Sequence, residues 1–193
     1  YEAGDGVECD FNKAKFYFER SSSQESSLGY HLIGWCYRKG FAVKQDYSIA
    51  LEYYQKAADL GNSSAFSNIG SLYENSQGVK QNYSKAMEYY QKAADLGNSA
   101  AFSNIGSLYK YGLGVKEDYS KAMKYYQKAG DLGNSSAFYN IGFLYHNGQG
   151  VKQDYSKAMK YYQKAADLGN SFAFSNIGSL YENGEGVKQD YSK

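Results

Sequence analysis

The 193-residue chain has no proline, two cysteines (Cys9 and Cys36), one tryptophan (Trp35) and two histidines (His31 and His146). Each scarcity excludes something. Without proline, the turns fall to the 21 glycines and to asparagine and aspartate. Two cysteines are too few for a disulfide framework and lack the C-x-x-C spacing of a zinc or redox site; a single Cys9–Cys36 bridge stays open at this stage. No apolar run approaches the roughly 18 residues that cross a bilayer, and no signal-peptide apolar core is present. The chain does not begin with Met, so the missing signal leaves its compartment open. Neither sign of charge dominates: the net charge is +1, with lysine interspersed among aspartate and glutamate. That balance leaves no electrostatic footprint for nucleic acid or an anionic membrane. With His31 and His146 far apart, no Ser-His-Asp or Cys-His set is legible, because nucleophile and base must lie within hydrogen-bond reach. No His, Cys or Asp cluster has metal-ligand spacing, and no cofactor is expected.

Tyrosine, in contrast, is abundant, at 23 residues, and it recurs in register. The stretch KAADLGNS stands at 56–63, 92–99 and 164–171, and KAGDLGNS fills 128–135, so each copy begins 36 residues after the last. A period between about 20 and 50 residues identifies a solenoid of tandem units, none of which can bury its apolar face alone. The full repeats are 28–63, 64–99, 100–135 and 136–171, with partial repeats at 1–27 and 172–193. They are expected to form one array over 1–193, and the partial ends read as a window cut from a longer one.

Each repeat reads as two helices. In the first, Ala65, Phe66, Ile69, Gly70, Leu72 and Tyr73 fall on one arc at the helical period, with Ser67, Ser71 and Glu74 opposite. Gly70 recurs as Gly34, Gly106, Gly142 and Gly178. Glycine inside a helix costs about 1 kcal/mol relative to alanine, so its recurrence implies close approach of the partner helix. In the second helix Tyr83, Ala86, Met87, Tyr90, Ala93 and Ala94 form the buried arc, and Lys85, Glu88, Lys92 and Asp95 face out. Asp46, Asn82, Asp118 and Asp154 are N-cap candidates, and Gly61, Gly97, Gly133 and Gly169 are candidates for the left-handed position after the helix. The loop, NGQGVKQD in one repeat, carries glycines for positive φ and a valine expected to tuck beneath the helices. Its Gly-x-Gly lacks the Lys-Ser/Thr and the preceding strand of a phosphate loop, and is read as a turn.

On these residues, AFSNIGSLYENGEGVKQDYSK at 173–193 and DYSKAMKYYQKAADLGN at 154–170, the chain resembles the Sel-1-like repeat, a 36-residue relative of the tetratricopeptide repeat. The resemblance implies an all-α fold, a right-handed superhelical solenoid of antiparallel helix pairs, and a role as an adaptor in protein assemblies. A cysteine-rich branch of the family, linked to β-lactam binding, staples each helix pair with a disulfide. The matching positions here are Ala58/Ala65, Ala94/Ala101, Gly130/Ala137 and Ala166/Ala173, so the staple is absent and a hydrolase of that branch is only a minor alternative.

Exposed positions that break the repeat are where function is expected. The stripe opposite the buried arc holds Ser67/Ser71/Glu74, Ser103/Ser107/Lys110 and Ser175/Ser179/Glu182, but His31/Trp35/Arg38 and Tyr139/Phe143/His146 in the other two repeats. Trp, Tyr and Arg are the residue types that anchor interfaces. These six residues are therefore the candidate partner-binding site, for a protein partner or for self-association. Asn62, Asn82 and Asn134 lie in N-x-S sequons and are glycosylation candidates. The leading reading is a non-catalytic interaction scaffold. The alternative is a structural, filament-forming and glycosylated repeat protein.

Overall fold

The computed structural model describes residues 13, 16–18, 20 and 26–186. Cys9 lies outside them. The described secondary structure is helical, and the chain divides into two compact units, 1–98 and 99–193. In the first unit the helices are α1 (Ser27–Lys39), α2 (Tyr47–Asp59), α3 (Ser63–Glu74) and α4 (Tyr83–Asp95). In the second they are α5 (Ser99–Tyr111), α6 (Tyr119–Asp131), α7 (Ser135–Asn147), α8 (Tyr155–Asp167) and α9 (Ser171–Asn183). Within each unit, helices adjacent in the chain pack together. This is an α-solenoid of helix pairs.

Helix ends follow the sequence signals. Asp46 Oδ1 accepts from the Ser48 and Ile49 amides, and Asn82, Asp118 and Asp154 each accept from the amide three residues on. Gly61, Gly97, Gly133 and Gly169 all have φ near +79°, the left-handed value that ends a helix at least cost to glycine. Most loop positions with positive φ are also glycine, but Ala42 (φ 57°) and Ser76 (φ 56°) take the same conformation. A residue with a Cβ pays about 1–2 kcal/mol there, and Ser76 offsets part of it by donating its hydroxyl to the Val79 carbonyl at 3.3 Å.

The core is built around one tyrosine per second helix. Tyr54, Tyr90, Tyr126 and Tyr162 are essentially inaccessible, and each lies against the recurring glycine of the first helix of its own repeat. A Cβ built on Gly34, Gly70, Gly106 or Gly142 would stand 2.7 Å from the tyrosine Cδ1, so the glycine exists to let the ring lie across the helix backbone. Ala50, Ala57, Ala58, Ala65, Ile69 and Leu72 close around Tyr54 in the first unit, with Val79 beneath them. Ala122, Ala129, Ala137, Ile141 and Leu144 do the same around Tyr126 in the second, with Val151. Cys36 is buried in α1. The loop glycines also reach the preceding repeat: a Cβ on Gly78 would meet Tyr47 Cβ at 2.6 Å, and one on Gly186 would meet Tyr155 Cβ at 2.7 Å.

Candidate functional site

The stripe expected to face outward does so only in part. Ser67 and Ser103 are buried, and so is Lys110, at 4% exposure. A helix in a solenoid has neighbours on two sides, so its back is partly covered by the next repeat. His31, Trp35, Arg38, Tyr139, Phe143 and His146 are all half-buried.

In the first unit, α1 presents His31, Trp35 and Arg38 on successive turns. The Arg38 guanidinium spans to α3, donating from Nη1 to Asn68 Oδ1 at 3.0 Å and from Nη2 to Ser71 Oγ at 2.9 Å. Arginine can only donate, which fixes the amide of Asn68 with its oxygen toward Arg38. Asn68 Nδ2 therefore points to His31 Nε2, 2.9 Å away, and that nitrogen must accept. His31 is thus neutral, with its proton on Nδ1. Burial independently lowers its pKa from the ordinary value. The His31 ring also lies 5.6 Å from that of Tyr54. Trp35 packs on the core around Tyr54 and sits 4.9 Å from Phe41 in the loop that follows.

This arrangement fixes a pH response. The folded state holds the His31 pKa below its unfolded value of about 6.5, so the contribution is complete above that pH and is lost as pH falls through the window between the two values. Melting the wild type and His31→Gln at about pH 7.5 and about pH 5 should show a smaller acid-induced drop in Tm for the variant, since glutamine accepts from Asn68 without titrating. Equal drops would place the acid sensitivity elsewhere.

In the second unit, α7 carries Tyr139, Phe143 and His146. Tyr139 lies 5.8 Å from Tyr162 and 6.2 Å from Phe172. Lys110 Nζ sits 3.9 Å above the Phe143 ring, a cation held over an aromatic face while otherwise buried. His146 Nε2 approaches the Glu185 carboxylate at 3.8 Å, and its ring meets Tyr155 edge-on. Each of the two predicted triplets therefore stays together as a face on one helix, with its members also engaged by neighbouring residues.

The sequons differ in setting. Asn62 and Asn134 are half-buried helix caps accepting from the Ala65 and Ala137 amides, and Asn62 also donates to the Ser27 carbonyl at 3.4 Å. Asn82 caps α4 and is exposed. Among the described residues no three His, Cys, Asp or Glu side chains group as metal ligands, and no helix is long and apolar enough to cross a membrane.

The sequence did not reveal a second recurrent feature, on the outer side of the second helix. Each repeat stacks a tyrosine from its first helix on one from its second: Tyr37 on Tyr53, Tyr73 on Tyr89, Tyr109 on Tyr125 and Tyr145 on Tyr161, with centroids 5.7–5.9 Å apart. Lysines lie over these rings, Lys85 over Tyr73 and Lys92 over Tyr89 in one repeat. The only available signal was the K-x-x-[EK]-Y-x-x-K spacing, which reads as a solvated face.

A glycine-seated tyrosine core, one per 36 residues, defines the class: a solenoid of tandem helix pairs. A Sel1 repeat profile matches residues 1–26, 27–62, 65–98, 101–134, 135–170 and 175–193, and the chain belongs to the Sel1 repeat family. Members of this family serve generally as protein-interaction scaffolds. No curated protein matches the sequence. Among solved structures, a Sel1 repeat protein from Oxalobacter formigenes is 33% identical with a TM-score of 0.86, over 98% of this chain and 76% of that one. The c5321 protective antigen of uropathogenic Escherichia coli is 30% identical with a TM-score of 0.74; the match takes in 99% of this chain but 41% of the antigen. Helicobacter pylori cysteine rich protein B is 32% identical over 69% of this chain and 96% of that one, with a TM-score of 0.54. At the staple positions of the first unit this chain has buried alanines, Ala58 and Ala65.

Proposed function

We propose that this chain is a non-catalytic adaptor that docks another protein on the first-helix face of its repeats. The observation that carries this reading is the replacement of a Ser/Ser pair, at the same two stripe positions, by His31/Trp35 in one repeat and Tyr139/Phe143 in another. Small serines suffice wherever the face has only to pack against its neighbour. Large aromatic side chains that remain half-exposed bring the contact area and low entropy cost that interface anchors need.

Photo-crosslinking tests it directly. A photoreactive phenylalanine analogue is placed at Tyr139 and, as a control, at the exposed Lys80 in the intact protein, which is then irradiated in extract of its source cells. A discrete protein adduct formed from position 139 and not from position 80 supports docking on this face. Identical adducts from both positions, or none from 139, overturn it.

A further inference from the structure

The second unit carries two grooves of the same composition on the outer side of its second helices. Tyr109, Lys121, Lys124, Tyr125 and Lys128 line one of ≈ 260 Å³; Tyr145, Lys157, Lys160, Tyr161 and Lys164 line the other, of ≈ 290 Å³. In each, the stacked tyrosines form the floor and three lysines stand around it. Lys121 Nζ lies 5.1 Å from the Tyr109 ring and Lys128 Nζ 5.7 Å from Tyr125; Lys157 and Lys164 hold the matching places at 5.1 and 5.5 Å. The rings hold the lysine ammonium groups above the groove without neutralising them.

The countercharge is small. Lys121 and Lys157 face the cap carboxylates of Asp118 and Asp154 at 3.8 and 3.6 Å, and these carboxylates also accept helix amides. Asp131 acts on Tyr161 from the preceding second helix. Lys124 and Lys160 are exposed and enter no ion pair among the described residues. The first unit differs at this position in both of its full repeats, and in one of them Ile49 also stands where the second unit has Lys121 and Lys157. Glu52 and Glu88 stand where the second unit has Lys124 and Lys160, and Glu88 is paired with Lys92 at 2.8 Å. The tyrosine stack is common to both units, so the change from glutamate to lysine is not needed for packing.

We infer that the two Lys-Tyr-Tyr-Lys grooves of the second unit bind an extended acidic segment of a partner protein, one cluster of Asp or Glu side chains per groove. Lysine is a point charge without the planar fork with which arginine grips a phosphate. Open grooves repeated every 36 residues, each with three separate lysines, suit clusters of carboxylates spaced along a chain better than one compact dianion. The inference stands on a different face from the docking reading above and does not depend on it.

Fluorescein-labelled decaglutamate, followed by anisotropy with the intact protein, is the probe. Saturable binding is expected, weakening as ionic strength rises from about 50 to about 300 mM because exposed charge pairs are screened. The double variant Lys124→Glu/Lys160→Glu, which places there the glutamates the first unit has as Glu52 and Glu88, should bind at least about tenfold more weakly, as expected when complementary charge is reversed. Its Tm should be unchanged, since both side chains are exposed. Absence of binding, or wild-type affinity in the variant, overturns the inference. So does equal or tighter binding of a polyglucuronate of matched charge, which would make the ligand a polysaccharide.

Discussion

Replacing Gly142 by alanine should destabilise the protein by about 1–2 kcal/mol, although helix propensity alone favours alanine by about 1 kcal/mol. The new Cβ would stand 2.7 Å from Tyr162 Cδ1 and 2.8 Å from Cε1, with the Ala158 carbonyl oxygen at 3.3 Å. The ring cannot move away, because Tyr162 is fully buried in the core, so α7 and α8 must separate. Overpacking of this kind costs roughly 1–3 kcal/mol and outweighs the propensity gain. Gly130→Ala is the control with the opposite sign. Its Cβ would meet Phe138 Cε1 at 2.8 Å, a similar distance, but Phe138 is only half-buried and its ring end can shift. Alanine already occupies the matching place as Ala58 beside Phe66. Urea denaturation should show Gly130→Ala raised by about 0.5–1 kcal/mol, most of the helix-propensity gain. If both variants move in the same direction, the glycine does not serve the tyrosine.

Tyr90→Phe should cost about 1.5–2 kcal/mol, the lower part of the range for a hydrogen bond to a charged group. The Tyr90 phenol donates to Glu74 Oε2 at 2.5 Å. Burial, and then the Glu74 charge, holds its pKa far above the ordinary phenol value. Losing the phenol strips Glu74 of its donor, and because Glu74 is half-exposed, water recovers part of the loss. Tyr54 occupies the same place one repeat earlier, yet its Oη is buried without a hydrogen bond of good geometry, beside Arg38. Burial pushes its pKa up to about 12. Tyr54→Phe removes a desolvated hydroxyl and should be neutral or stabilising by up to about 1 kcal/mol. Equal effects in the two variants would show that the hydrogen bond to Glu74 adds nothing to stability.

Much of this was legible in sequence because the repeat displays each constraint several times. Gly34, Gly70, Gly106 and Gly142 recur inside helices where glycine is disfavoured, and the close approach inferred from that is the tyrosine contact observed. The caps, the second-helix arc and the loop valines followed from spacing in the same way. The back of the first helix was less legible. One helix read alone has an inner and an outer face, but in a stack its back also meets the next repeat within the unit, so Ser103 is buried where the period placed it outside. Serine's small size was compatible with either. His31 and Arg38 could be placed on one face, but their shared partner Asn68 lies in another repeat, at a position that marks nothing by itself. The lysine grooves were not legible because a lysine four residues from another on a helix looks solvated, and its ammonium comes to rest on a ring only when the two helices of a repeat pack.

The loop glycines that close on the preceding repeat have a consequence for synthesis. Gly78 seals against Tyr47, 31 residues earlier, and Gly150 against Tyr119, while side-chain bonds between repeats in the first unit, such as Arg38 to Asn68 and His31 to Asn68, join residues 30 and 37 apart. Contacts this local allow fast folding without a search across the chain. They also mean that a helix pair emerging from the ribosome has its tyrosine seated but its outer seam open. Within each unit such a repeat is finished only when the loop of its successor has been translated, so synthesis leaves it incompletely closed until then.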